Sequence, residues 1–243
     1  MVLAAGLGLR MRPITDNLPK PLVVIGGRTM LDRALDELAA AGVDDVVINI
    51  HYLAAMIEAH VAARRCPRIR LSREHRLLET GGGIAYALSH FGDGPFFAVN
   101  ADTCWRNGPR PTLPALAEAW DDSRMDALLL LQPVATAVGY QGAGDFFRSP
   151  NGLLERRGDR AAPYVFAGVQ ILHPRLFAGT PAGPFSLNIV FDRAIKSGRL
   201  HGLVHDGGWC HVGTPADIPQ AEAFFADTSP PARSADSAAP AAT

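Results

Sequence analysis

Four stretches of the chain concentrate residues able to hold phosphate or a divalent cation. In the first, the short apolar run Leu3-Ala4-Ala5 leads into Gly6-Leu7-Gly8, and Arg10 and Arg12 follow. Glycines let a backbone approach phosphate oxygens and turn amide N–H groups toward them, while arginine adds bidentate, charge-assisted hydrogen bonds. A polyphosphate fits that description. Gly-x-Gly after a strand is ambiguous alone, since a tight structural turn uses the same residues. A dinucleotide-binding fingerprint needs a third glycine where Met11 stands, and an acidic residue roughly twenty positions on, where Gly26-Gly27 lie. The Walker A loop fails too, because no Gly-Lys-Ser/Thr follows. Lys20 sits between Pro19 and Pro21, whose rings fix the backbone on either side and set it apart from an ordinary solvated lysine.

The second stretch, Leu78-Glu79-Thr80-Gly81-Gly82-Gly83, reads as a loop ahead of a helix from Ile84 to Ser89. Consecutive glycines cost chain entropy unless something lies against the backbone; a flexible helix start is the plain alternative. The third, Phe96 to Asp102, is a buried-looking strand ending in a carboxylate, where open α/β sheets place ligands and where a hard oxygen suits Mg²⁺. The fourth is Trp209-Cys210-His211-Val212-Gly213-Thr214-Pro215. An imidazole such as His211 binds divalent ions but prefers softer metals than Mg²⁺.

With its continuation Pro13-Ile14-Thr15-Asp16-Asn17-Leu18-Pro19-Lys20-Pro21-Leu22, the first stretch resembles the N-terminal motif of sugar-1-phosphate nucleotidyltransferases: a Gly-x-Gly-x-Arg loop followed by Pro-Lys-Pro-Leu. By that resemblance Ala4, Ala5, Gly6, Gly8 and Arg10 would cradle a nucleoside triphosphate, and Lys20 would hold the sugar phosphate and the transferring phosphoryl group. The resemblance also implies nucleotide contacts for Glu79, Thr80, Gly81, Gly82, Gly83 and Asn100, and a catalytic, metal-ligating role for Asp102. Phe166-Ala167-Gly168-Val169 resembles the sugar-site strand, which puts Gly168 at the sugar, and Asn188 in Phe185-Ser186-Leu187-Asn188 is expected to face the same pocket. The last motif is similar to Trp-x-Asp-x-Gly-Thr, with His211 standing where a second metal-binding aspartate is expected. Either Asp102 and the substrate phosphates carry Mg²⁺, or His211 joins them on a metal such as Mn²⁺, or His211 touches phosphate directly.

The elements that must position these groups alternate along the first half of the chain. Strand-like runs at Met1–Ala5, Val46–Ile50, Ile69–Ser72, Phe96–Asn100 and Ala127–Gln132 are separated by helix-like ones at Leu31–Ala41, Ala54–Ala63, Gly83–Ser89 and Leu113–Trp120. This spacing predicts an α/β fold with a mainly parallel, Rossmann-like mixed sheet covered by helices on both faces. The resemblance adds that the sheet is of the glycosyltransferase-A-like nucleotidyltransferase kind. Residues 139–165 weaken into a Gly-, Arg- and Asp-rich hairpin or flap; strand character returns at Val165–Leu172, and a last helix is expected over Ile189–Lys196. His51, after the strand Val46–Ile50, is expected near the substrate or supporting it. Residues 1–226 read as one catalytic domain and 227–243, rich in Ala, Pro and Ser, as a disordered tail. Met1 lies so close to Leu3 that the first strand is expected to be short, as it would be if the true start lay upstream.

Composition bounds the partners. Of 243 residues 48% are hydrophobic and 19% charged, and the net charge of −1 offers no broad basic field for nucleic acid or an anionic membrane. No apolar run reaches the roughly eighteen residues of a membrane span, so a cytoplasmic protein is expected. Three scattered cysteines fit neither a disulfide framework nor a structural zinc site. The resemblance implies attack of a sugar 1-phosphate on a nucleoside triphosphate, giving an NDP-sugar and pyrophosphate, by a monomer or small homo-oligomer. Within the family the chain looks most like N-acetylmuramate-1-phosphate uridylyltransferases of cell-wall recycling, which favours UTP. Mannose-1-phosphate guanylyltransferases and glucose-1-phosphate nucleotidyltransferases are the related alternatives, and a catalytically silent nucleotide-sugar sensor is the alternative of another class.

Overall fold

A computed structural model describes residues 1–227. Apart from Asp227, the tail expected over 227–243 lies outside the described residues. The chain runs β1 (Val2–Leu3), β2 (Val24–Ile25), β3 (Arg28–Thr29), α1 (Met30–Ala40), β4 (Asp45–Ile50), α2 (Ala54–Val61), β5 (Arg68–Arg73), α3 (Glu79–Ala87), β6 (Phe96–Asn100) and β7 (Cys104–Arg106). It continues with α4 (Thr112–Ala119), β8 (Ala127–Pro133), β9 (Ala137–Val138), β10 (Phe146–Arg148), β11 (Leu154–Arg156), β12 (Tyr164–Leu172), α5 (Asn188–Lys196), β13 (Leu200–Val204), β14 (Gly208–Cys210) and α6 (Ile218–Ala226).

The main sheet has nine strands: β13-β8-β12-β6-β1-β4-β5 side by side, with the β10–β11 hairpin joined to the start of β12. Pairing is parallel from β6 through β1 and β4 to β5, and between β8 and β13. β12 lies antiparallel between β6 and β8. The mixed sheet agrees with the sequence, but its parallel part is smaller than the alternation suggests. A parallel return needs a crossover, usually an α-helix, and residues 134–163 between β8 and β12 hold only a 3₁₀ turn at Val134–Thr136 and short strands. The hairpin expected in that region is β10–β11.

Helices cover both faces. Leu31, Leu35 and Leu38 of α1, Ile57 of α2 and Leu116 of α4 pack on one face with Val46 and Ile48, while Ile84 of α3 and Val190 and Phe191 of α5 pack on the other with Val47 and Leu129. Burial on both sides explains why the strands read as continuous apolar runs. α1 illustrates how local sequence sets its ends. The Thr29 side chain accepts from the Asp32 amide at 3.0 Å, a cap whose loss costs about 1 kcal/mol. Gly42, at φ 79°, closes the other end, with Val43 N–H reaching Leu38 O and Gly42 N–H reaching Ala39 O, both at 3.0 Å. A third core of Met11, Ile25, Met30, Cys104, Cys210 and Phe224 lies between the glycine-rich opening and α6. Burial pushes the Cys104 thiol up to about 12 and that of Cys210 to about 11, as for inert structural thiols. No described helix is long and apolar enough to cross a membrane.

One buried polar link joins the layers. The His205 ring lies 3.1 Å from the Thr112 hydroxyl and 3.0 Å from Gln132 Oε1, and burial lowers its pKa from 6.5 to about 4. It is therefore neutral at pH 7. An unfolded chain binds the proton more readily, so the stability His205 contributes is complete above pH 6.5 and is lost as pH falls toward 4. The shift corresponds to roughly 3 kcal/mol. Denaturant unfolding of wild type and His205→Asn across this range should show the wild-type advantage shrinking as the solution is acidified.

Candidate active site

The C-terminal ends of β1, β4 and β6 open onto a cleft of two adjoining chambers. The larger, about 690 Å³, is lined by Ala4, Ala5, Gly6, Gly8, Glu79 and Thr80, with Asn49 at its side. The smaller, about 230 Å³, is lined by Tyr140, Phe166, Gly168, Trp209 and His211 among others. Arg10, Lys20, Asn100 and Asp102 line both and mark the junction.

The glycine-rich opening leaves β1 without regular structure and folds into three short 3₁₀ turns, Leu9–Met11, Ile14–Asp16 and Lys20–Leu22. Gly8 adopts φ 62°, and a Cβ there would stand 3.1 Å from both Lys20 Cβ and Thr15 Cγ2. Gly6 differs: a Cβ would meet nothing within 4 Å, because this backbone faces the open cleft. Lys20 is 9% exposed, and its Nζ donates to Asp102 Oδ2 at 2.6 Å. The proline-flanked lysine is thus no surface charge. Arg10 is exposed at the mouth, near Gly213 and His211: a Cβ on Gly213 would fall 3.0 Å from Arg10 Nη1 and 2.6 Å from His211 Nε2.

Asp102 follows β6 by two residues, and its placement depends on a break in β12. The register of β12 against β8 slips between Phe166 and Gln170, where Gly168 adopts φ 79°. The Ala167 carbonyl accepts instead from the Thr103 hydroxyl at 2.7 Å and the Trp209 indole at 3.0 Å. Thr103 adjoins Asp102 and Trp209 lies two residues before His211, so one carbonyl ties both segments together. Asp217 rigidifies the far side, its Oδ2 accepting from the Gly213 and Thr214 amides at 2.8 and 2.7 Å. Burial first, then the Arg10 and Lys20 charges, hold the His211 pKa below the ordinary histidine value.

Not every expected residue reaches the cleft. Gly81, Gly82 and Gly83 belong to the first turns of α3, which begins at Glu79, rather than to a loop. The Gly81 and Gly82 amides both donate to Phe185 O at 3.0 Å, and Cβ atoms there would strike the Phe185 ring at 2.4 Å and Gly183 O at 2.3 Å. These glycines are set by close packing, while Glu79, at φ 59°, and Thr80 face the larger chamber. Asn188, exposed at the start of α5, lines neither chamber and accepts from Arg156 Nη2 at 2.9 Å. A sequence offers no sign that this side chain is turned outward. His51 pairs its Nδ1 with Glu74 O at 2.8 Å, a supporting position. Residues unmarked in the sequence motifs include Tyr140, Thr103 and Glu74, because only the fold brings them to or beneath the cleft.

Asp102 and His211 line the smaller chamber together, and among the described residues no group of three or more His, Cys, Asp or Glu gathers into a metal site. One carboxylate and one imidazole make a partial donor set. It fits a divalent cation that arrives with phosphate oxygens better than one caged by protein.

A ligand cleft at the carboxyl edge of a mixed sheet, with Arg10, Lys20 and Asp102 where its two chambers meet, fits the nucleotidyltransferases of glycosyltransferase-A-like fold. A profile of the MobA-like NTP transferase domain matches residues 1–140, and the chain belongs to that family. It is 43% identical to the N-acetylmuramate alpha-1-phosphate uridylyltransferase of Caulobacter vibrioides over 93% of this chain and 96% of that one. The mannose-1-phosphate guanyltransferase of Neurospora crassa is 29% identical, over 90% of this chain but 61% of its own length. Among solved structures, HddC from Yersinia pseudotuberculosis complexed with GMP-PN superposes with a TM-score of 0.75 at 23% identity, over 92% of this chain and 97% of that one.

Gly168 gives a direct test of how the cleft is built. A Cβ there would lie 2.2 Å from Thr103 Oγ1 and force a left-handed backbone on an L side chain. Gly168→Ala should cost about 2 kcal/mol or more, read as a lowered thermal unfolding midpoint.

Proposed function

We propose that this chain transfers a uridylyl group from UTP to N-acetylmuramate 1-phosphate, giving the UDP-sugar and pyrophosphate. The observation that carries the reaction type is the meeting of two chambers at Arg10, Lys20 and Asp102. The choice of substrates rests on the 43% identity to the Caulobacter uridylyltransferase across nearly the full length of both chains. The larger chamber takes the nucleotide, with Ala4, Ala5, Gly6 and Gly8 along the phosphates and Glu79, Thr80 and Asn100 toward the nucleoside. The smaller takes the sugar, against Gly168 and its aromatic neighbours.

An oxygen of the acceptor phosphate attacks the α-phosphorus in line; the new P–O bond forms as the bond to pyrophosphate breaks and the leaving group takes its electron pair. No side-chain nucleophile or proton transfer is required, because the attacking phosphate is already anionic. What the protein must supply is position and positive charge. Lys20, hydrogen-bonded to Asp102, presents its ammonium at the junction, and Arg10 stands at the mouth beside the triphosphate. Asp102, with His211 beside it, would hold a divalent cation, which would supply positive charge to the reacting phosphates.

Pyrophosphate release measured for the four common nucleoside triphosphates against a panel of sugar 1-phosphates, with Mg²⁺ and with Mn²⁺, should be fastest for UTP with N-acetylmuramate 1-phosphate. Turnover confined to GTP with mannose 1-phosphate would replace this reading. Lys20→Ala and Arg10→Ala should each lower kcat by about a hundredfold or more, with circular dichroism showing both variants folded.

A further inference from the structure

The charge-neutralising groups leave one buried polar pair without a role. Asn49 and Glu74 are each 3% exposed. Asn49 Oδ1 accepts from the Ala4 amide at 2.9 Å, Asn49 Nδ2 donates to Glu74 Oε1 at 2.7 Å, and Glu74 Oε2 accepts from the Leu78 amide at 2.9 Å. The three bonds run from the backbone where β1 becomes the glycine-rich opening to the backbone where α3 is about to start. Ala4 at one end, Asn49 in the middle, and Leu77, Glu79 and Thr80 around the other end all line the larger chamber.

We propose that the Asn49–Glu74 pair is a positioning device for the nucleotide, fixing the separation between the phosphate-side backbone at Ala4 and the nucleoside-side turn at Leu78–Thr80. This rests on the larger chamber being the nucleotide site. A buried carboxylate is costly unless its oxygens are satisfied, and here each oxygen serves a donor that leads to a different wall of one chamber. The relay also accounts for the third glycine of the triplet. A Cβ on Gly83 would fall 2.6 Å from Glu74 Oε1 and 2.8 Å from Asn49 Nδ2, so a side chain there would push the central bond apart.

The donor pattern provides the test. Glu74→Gln offers one acceptor where two are needed. With its oxygen on Leu78, its NH₂ group meets the NH₂ group of Asn49; if Asn49 flips to relieve this, its NH₂ group meets the Ala4 N–H instead. Asn49→Asp combined with Glu74→Gln moves the carboxylate one position along and restores all three bonds. Glu74→Gln should therefore raise the KM for UTP, and its dissociation constant by calorimetry without acceptor, about tenfold, the cost of one buried unpaired donor. The KM for the sugar 1-phosphate and kcat should stay close to wild type. Gly83→Ala should weaken UTP to a similar degree, and the Asn49→Asp/Glu74→Gln double variant should return to within about twofold of wild type. The proposal is overturned if Glu74→Gln lowers only the melting temperature and leaves UTP affinity unchanged, or if the double variant stays as impaired as Glu74→Gln. A wild type that binds UTP, shows the same pattern across the variants and yet releases no pyrophosphate with any sugar 1-phosphate would uphold the relay while refuting the proposed reaction. A wild type that binds no nucleoside triphosphate would overturn both.

Discussion

The carbonyl of Ala167 is the constraint on which the arrangement of the cleft depends. A buried carbonyl must find donors, and a β-strand that breaks register loses the ladder partner that would supply one. Because β12 breaks at Gly168, the carbonyl takes the Thr103 hydroxyl and the Trp209 indole instead. Those two donors belong to the segments that carry Asp102 and His211. Segments more than a hundred residues apart in the chain are thereby fixed to one atom. Gly168 is required twice, by its left-handed backbone and by the 2.2 Å approach that a Cβ would make to Thr103.

The same economy governs the charges. A net charge of −1 gives the protein no long-range attraction for anions, so phosphate must be met by local groups. Lys20 is almost fully enclosed, with a 2.6 Å bond to Asp102, whereas Asp102 keeps 40% of its side chain exposed. The bond fixes the ammonium while the carboxylate keeps an exposed side in the cleft. Arg10, by contrast, stays exposed and free to adjust. One fixed and one adaptable cation suit a reaction in which an acceptor must enter, react and leave beside a bound triphosphate.

Glycine shows why residue type alone does not reveal a role. Gly6 lies bare against the cleft, Gly8 makes a left-handed turn beneath Lys20, and Gly81 and Gly82 admit the Phe185 ring and the Gly183 carbonyl at distances no side chain tolerates. All can be argued from sequence to lie near phosphate or nucleoside, yet only Gly6 and Gly8 line the cavity.

The sequence by itself determined the layered α/β plan, the ends of α1 and the place of Asp102 along the chain, two residues after a buried strand. Each is read from periodicity, capping or the order of residues along the chain. Only the tertiary structure decided that β12 runs antiparallel through the sheet, that the glycine triplet is packed helix, that Asn188 turns outward to Arg156, and that Ala4, Asn49, Glu74 and Leu78 form one chain of hydrogen bonds. These depend on which distant backbone atoms are left without partners once the strands have paired. No local pattern encodes that, because a missing partner exists only after the sheet has formed.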